Sequence, residues 1–342
     1  MKRKFNFAFI LICMCFQTLC QNDYVVLTYK NQGSPIFFLM DSVISVQRID
    51  DVYKQAGITI GGGNTEWGNI KDGNVFFNLP QMVNDGRYKI VLYLGKQFSE
   101  FSFSGNTYVD KGLYIDVKNG KKTLAVNEYV LQNNKKFLER PYYPDLITAS
   151  TEAIQSNDNA IVMLAHEITK SCKTDYERVA AVHDWVAAHI YYDFDAYRKG
   201  IYICDAVSVL NFRKGVCEGY ANLCAALLRS LRIPCDVVSG YALGIDSSGE
   251  WDLASLNNDS NHAWNIAYPD NRIVIFDSTW DSMLRYEGGR YDADPTSDFT
   301  EAELNVVRSG KGTMSTPAKR HFDLTLEGIS IDHRIMSVSE PR

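Results

Sequence analysis

The chain has 342 residues, 46% of them hydrophobic and 22% charged, with 35 Lys and Arg against 41 Asp and Glu. This is the composition of an ordinary globular protein with room for two domains. The net charge of −6 argues against nucleic acid or an anionic membrane as partner, because both are bound by basic surfaces. The first residues read as a secretory leader, residues 1–20: basic Lys2-Arg3-Lys4, an apolar run over 5–16, then Gln17-Thr18-Leu19-Cys20. About twelve apolar residues are too few for a comfortable membrane span, and no later run approaches about 18. Loss of the leader leaves 32 Lys and Arg against 41 Asp and Glu, a net charge of −9. The protein is therefore expected to be secreted or otherwise extracytoplasmic, with a lipid anchor on Cys20 as the alternative. Five cysteines lie beyond the leader, Cys172, Cys204, Cys217, Cys224 and Cys235, and an odd number in an exported chain leaves at least one thiol unpaired or intermolecular. Cys217 is the expected free thiol, and Cys224, set among Ala and Leu, reads as a small buried hydrophobe.

Residues 21–120 carry short runs rich in β-branched and aromatic residues, at 24–29, 35–40, 43–49, 58–60, 75–79, 88–94, 98–103 and 113–117, separated by turn signals such as Asp72-Gly73, Asp85-Gly86 and Asn119-Gly120. Seven or eight strands in about 100 residues predict an all-β sandwich. The run Asp85-Gly86-Arg87-Tyr88, which opens an alternating strand, resembles the tyrosine corner of immunoglobulin-like sandwiches. Residues 121–149, polar and tyrosine-rich around Asn133-Asn134-Lys135-Lys136, read as a connector to a second domain over 150–342.

In that second part the period changes to a helical one. Residues 159–170 and 175–190 are predicted helices, the second with Val179, Val182, Val186 and Ile190 on one stripe and Thr174 as N-cap. His183 and His189 lie six residues apart, about 240° around a helix, so they do not share a metal. No two-histidine zinc spacing occurs, so no metal or cofactor is expected, and His166, His183 and His189 read as packing or surface residues. A short helix over 206–212 leads to Gly215-Val216-Cys217-Glu218-Gly219-Tyr220. Here a cysteine follows a glycine turn and opens the Ala/Leu-rich helical run 220–231, where the helix dipole favours a thiolate. Strands are predicted over 236–243, around His262 and over 273–277, the last two joined by a turn at Pro269-Asp270-Asn271 that brings His262 and Asp277 to one end of a hairpin. Cys, His and Asp in this order are the parts of a nucleophilic triad. Asn211, six residues before Cys217, is one candidate for a second oxyanion donor beside the Cys217 backbone N–H. The acidic residues Asp281, Asp292, Asp294 and Asp298 show no calcium-loop pattern and read as solvated.

Five segments in order resemble the transglutaminase-like superfamily, with its papain-like core, between about residues 175 and 280. They are Val182-His183-Asp184-Trp185-Val186 leading to Ile190-Tyr191-Tyr192-Asp193, then Gly215-Val216-Cys217-Glu218-Gly219-Tyr220-Ala221, Leu231-Arg232-Ile233-Pro234, His262-Ala263-Trp264 and Phe276-Asp277-Ser278-Thr279-Trp280. His321-Phe322-Asp323 and Ile331-Asp332-His333 resemble the end of bacterial members. Arg232 departs from the group, which usually carries glycine before Ile-Pro. The resemblance implies an α+β fold, helices packed on an antiparallel sheet and preceded by the immunoglobulin-like sandwich. It implies Cys217 as nucleophile, His262 as its base and acid, Asp277 as orienter of the imidazole, and Tyr192 as another oxyanion candidate. It also implies a thioester formed on a protein or peptide substrate, hydrolysed or passed to an amine, hydrolysis being the expectation outside the cytoplasm. The alternative is a non-catalytic binding or scaffold module on the same fold.

Overall fold

The computed structural model describes residues 36–338 except 41, 48, 50–52, 83, 96–106, 142, 245–249, 296, 298 and 318. The leader, Cys20, the runs expected as strands at 24–29 and 98–103, and Asp298 lie outside the described residues. The protein is α+β. Its first part is two antiparallel sheets over one core. Strands β1 (Ile36–Leu39), β2 (Val43–Gln47) and β5 (Val75–Asn78) form one; β3 (Gln55–Ile60), β4 (Glu66–Asn69), β6 (Gly86–Gly95), β7 (Thr107–Lys118) and β8 (Lys121–Ala125) form the other, in the order β4-β3-β6-β7-β8. Alternation is clean in β5, where Val75 and Phe77 are buried and Phe76 and Asn78 exposed, the period-2 signature of a half-buried strand. The Tyr88 hydroxyl donates to the Asn84 carbonyl at 2.9 Å, the backward bond that the tyrosine-corner resemblance implies.

The stretch expected as a connector is instead structured. It holds β8 and helix α1 (Glu128–Leu138), capped by the Asn127 side chain, which accepts from Val130 N. Local composition was misleading because the polar residues serve the helix: Lys135 and Lys136 stand in its last turn, where cations suit the dipole. Asn134 is fully buried, its amide donating to the His333 carbonyl at 2.8 Å and accepting from Ile335 N at 2.8 Å.

The second part has helices α2 (Asn159–Thr169) and α3 (Asp175–His189), the latter opened by a Thr174–Glu177 capping box, then β9 (Tyr191–Asp193), α4 (Phe194–Lys199), α5 (Ala206–Phe212), β10 (Lys214–Gly215) and α6 (Cys217–Ser230). After these come β11 (Cys235–Ala242), α7 (Leu253–Asn257), β12 (His262–Ala267), β13 (Val274–Phe276), β14 (Leu284–Glu287), β15 (Arg290–Ala293), α8 (Glu301–Arg308), α9 (Leu326–Asp332) and β16 (His333–Val338). The main sheet runs β13-β12-β11-β16, all antiparallel, and a smaller one runs β10-β9-β14-β15. No described helix is long and apolar enough to cross a membrane.

The main sheet is buried on both faces. Val238, Trp264, Ile266, Ile275 and Ile335 share a core with Ile58, Leu92 and Ile115 of the N-terminal strands. Val237, Ala263, Ala267, Val274 and Phe276 share another with α6. Helix α6 lies inside this second core, buried from Gly219 to Arg229. Its end is tied by Arg229, whose guanidinium donates to the carbonyls of Cys235 (3.0 and 2.9 Å) and Ala149 (2.9 Å). Arg232 then turns the chain with φ +62°, in the left-handed region, so the residue that departs from the family pattern stands where the backbone favours glycine.

Gly240 lies at a register irregularity between β11 and β16 and directly opposite His262. A Cβ there would stand 2.2 Å from the Arg334 carbonyl and 2.4 Å from the Trp264 ring, both of which are packed in place. Gly240→Ala is expected to lower the unfolding free energy by about 1–3 kcal/mol, read by urea denaturation. Gly244→Ala, whose Cβ would meet only the Trp280 ring at 3.8 Å, is expected to leave it nearly unchanged.

Candidate active site

Cys217 is the first residue of α6, preceded by Val216 in extended conformation with no side-chain cap. Val216 therefore offers no side chain to the N–H groups of the first turn, which carry the positive end of the dipole. Two glycines allow this placement. Gly215 pairs in parallel with Tyr192, and a Cβ at Gly219 would lie 2.8 Å from Val209 Cγ2 and 3.3 Å from the Ile203 carbonyl. The buried Tyr220 hydroxyl donates to the Ile190 carbonyl at 2.5 Å, and the Asn265 amide to the Ala221 carbonyl at 3.0 Å, which locks the start of α6 to α3 and β12.

His262 opens β12 and Asp277 follows β13, the two strands pairing antiparallel with Asn265 opposite Phe276. The His262 Nε2–H donates to Asp277 Oδ2 at 2.6 Å. Asp277 is 1% exposed, and its other oxygen accepts the N–H groups of Thr279 (2.8 Å) and Trp280 (3.2 Å). Burial alone would lower the His262 pKa, but the Asp277 charge, joined by charge and a hydrogen bond from Cys217, raises it to about 10. Burial opposes ionisation of Asp277 in turn, and His262 and His333 outweigh it, holding the carboxyl far below its usual range. Cys217, His262 and Asp277 are thus brought together, with Cys217 and His262 on the wall of a cleft of about 780 Å³ that Glu218, Asn222, Tyr197 and Tyr202 also line.

All five cysteines described are free thiols. Burial raises four of them: Cys172 upward, Cys204 and Cys224 to about 12, and Cys235 well above its usual value. Cys224 is indeed buried, its sulfur 3.4 Å from the Ser278 hydroxyl. The oxyanion candidates fare differently from the triad. Asn211 is exposed on α5 and Tyr192 packs on Phe194 at 4.8 Å; neither lines the cleft. Arg213, left-handed at φ +56°, turns the chain between α5 and Gly215, so a six-residue spacing does not carry Asn211 to the cysteine. Tyr197 and Tyr202 do line the cleft.

The structure adds a cluster absent from the sequence expectations. Asp277 Oδ2 also faces His333 Nε2 at 3.4 Å, and His333 Nδ1 lies 2.5 Å from Asp332 Oδ1. Asp332 Oδ2 is 3.9 Å from His321 Nε2, His321 Nδ1 is 3.2 Å from Asp281 Oδ1, and Asp281 Oδ2 is 3.0 Å from His183 Nε2. His183 Nδ1 lies 3.0 Å from Asp184, which pairs with Lys319 at 2.9 Å. His183, read as a packing or surface residue, is fully buried between two carboxylates, and Asp281, read as solvated, is 1% exposed. The helical stripe hid His183 because it sits beside Val182 and Val186 on the buried side of α3; Asp281 was hidden because its partners come from residues 98 and 40 positions away. His189 stacks on Trp185 at 4.5 Å, and His166 is exposed. His262, Asp277 and His333 are close enough to surround a cation, their ligand atoms lying within 4.8 Å of one another. Both ring nitrogens, however, are directed at the carboxylate as N–H donors.

The His262–Asp277 pair gives a signed pH dependence. His262 is raised from an unfolded value near 6.5 to about 10, so its contribution to stability is complete below about 6.5 and is lost as pH rises toward 10. Asp277→Asn is expected to destabilise the protein by roughly 3–5 kcal/mol at neutral pH, as when a buried pair is broken. The difference from the wild type should shrink between pH 7 and pH 10, as read by urea unfolding across that range.

Comparison with known proteins gives a family match over the region that holds these residues. Residues 162–278 match the family described as the transglutaminase-like superfamily. The kyphoscoliosis peptidase of Mus musculus is 32% identical over 138 residues, 40% of this chain and 20% of that protein. The kyphoscoliosis peptidase of Homo sapiens is 34% identical over 122 residues, 35% and 18% respectively. The match thus spans about a fifth of those relatives. Among solved structures, the periplasmic domain of TgpA from Pseudomonas aeruginosa is 14% identical, covers 67% of this chain and 88% of its own, and has a TM-score of 0.27. The match to the transglutaminase-like superfamily is thus confined to residues 162–278, which include Cys217, His262 and Asp277.

Proposed function

We propose that the protein is a cysteine enzyme acting on amide bonds of peptides or proteins through a thioester on Cys217. The observation that carries this reading is the buried His262–Asp277 bond of 2.6 Å, formed beside a cysteine at the open N-terminus of α6 and on the wall of a cleft. In the proposed reaction His262 stabilises the Cys217 thiolate as an ion pair. The thiolate attacks the amide carbonyl, and a carbon–sulfur bond forms. The carbonyl electrons pass to oxygen, which first-turn N–H groups of α6 receive. His262 then gives its proton to the leaving amine as the carbon–nitrogen bond breaks. Water or a second amine, deprotonated by His262, attacks the thioester and releases the product and the thiol. Asp277 keeps Nε2–H engaged, which leaves Nδ1 for Cys217. Hydrolysis is the proposed outcome, and the leader-like residues 1–20 support a place of action outside the cytoplasm.

Iodoacetamide at pH 6 to 7 is expected to alkylate Cys217 much faster than Cys172, Cys204, Cys224 or Cys235, whose thiols are held protonated, as read by peptide mass spectrometry. A library of glutamine-containing peptides, incubated with and without a primary amine, should yield shortened peptides, or adducts if an amine is the acceptor. Cys217→Ala should remove either product by at least about 10³-fold with circular dichroism unchanged. Equal labelling of all five thiols, or product that survives Cys217→Ala, would sink the reading.

A further inference from the structure

Asp277 is a buried carboxylate with four hydrogen-bond donors: two backbone N–H groups on Oδ1, and His262 and His333 on Oδ2. Only His262 has a part in the proposed reaction. His333 comes from β16, the far edge of the main sheet, and is fully buried. Its position is over-determined. Asp332 takes Nδ1 at 2.5 Å, Asn134 of α1 takes the backbone carbonyl, and the ring packs on Trp280 at 4.5 Å and Trp264 at 4.9 Å. We propose that His333, held by Asp332, is a positioning residue that acts through Asp277: it shares Oδ2 with His262 and so fixes the direction in which the carboxylate, and with it the imidazole, faces Cys217. This rests on the role proposed for Cys217, but its principal test does not.

The argument is geometric. The backbone N–H groups of Thr279 and Trp280 anchor Oδ1, but with His262 as its only donor Oδ2 could still swing about that anchor. A second donor from a different strand defines the position of the oxygen in space. Trp280 closes the arrangement, its ring 5.5 Å from His262 and 5.1 Å from His321. The titratable groups facing His262 and Asp277 are Cys217, Tyr220 and Cys224 on α6, and His333 at the start of β16. Asp332 and His321 stand behind His333, and Asp281 behind His321.

The test follows the His262 ring by ¹⁵N-detected NMR through a pH titration of the full chain, in the wild type, His333→Leu, His333→Gln and Asp332→Asn. Without the second donor, Asp277 places more of its charge on His262, so in His333→Leu the His262 titration should move to higher pH by roughly half a unit to one unit. His333→Gln, which returns an N–H near the position of Nε2, should bring it back toward the wild type, and Asp332→Asn should lie between. Cys217 alkylation by iodoacetamide, measured against pH in the same variants, should shift its basic limb in the same direction. Where amide turnover is measured, kcat should fall roughly 10–100-fold in His333→Leu, as for other outer partners of a reacting group, with KM within about twofold. A His262 titration in His333→Leu that superimposes on the wild type would overturn the proposal. So would unfolding of both His333 variants, which would make the role structural. Absence of turnover in the wild type together with a shifted titration would remove the proposed function and leave the positioning role standing.

Discussion

The structure depends on the cost of holding an ionised carboxylate out of water. Asp277 is 1% exposed, and an isolated charge in such a place costs several kcal/mol unless its lone pairs are taken up. The fold answers with donors from three places, the backbone of its own turn, β12 and β16, while the Asp277 backbone N–H donates in turn to the His321 carbonyl at 2.7 Å and ties in the segment before α9. Each donor fixes a piece of chain, so the segments farthest apart in sequence are registered on one side chain. The same logic continues outward, where Asp332 and Asp281 are each placed between two histidines and held below their usual carboxyl range.

The second constraint is α6. A helix buried along eleven successive positions needs a wall on every side, and the chain supplies α2, α3 and α5 around it and the main sheet beneath. That sheet in turn needs cover on its other face. The N-terminal strands provide it, with Ile58, Leu92 and Ile115 in one core with Trp264 and Ile335. The N-terminal part is therefore more than an appended module: it packs on the sheet that carries His262. Helix α1 reinforces the joint, since Asn134 grips β16 at His333 and Ile335.

Much of this was legible in order. The hydrophobic periods located α2, α3 and most strands, Thr174 capped the helix it was expected to cap, and the turn at Pro269-Asp270-Asn271 joins the strands that present His262 and Asp277. Local signals failed where tertiary contacts overrode composition. The Asn133–Lys136 stretch read as part of a connector and lies in a helix whose Asn134 is satisfied 199 to 201 residues away. Asn211 looked well spaced and is exposed, because α5 turns Ala206, Val209 and Leu210 to the core instead.

Sequence by itself determined the order of the parts: a strand-rich first third, a helical centre, a cysteine at a helix start, and a histidine and an aspartate on a hairpin. These are local properties, set by side-chain period, capping and turn chemistry, and they need no knowledge of distant residues. Only the tertiary structure decided that His333, Asp332, His321, Asp281 and His183 extend the pair behind Cys217. They come from four separate segments, and a buried histidine acquires its meaning from the carboxylates that packing brings to its two ring nitrogens.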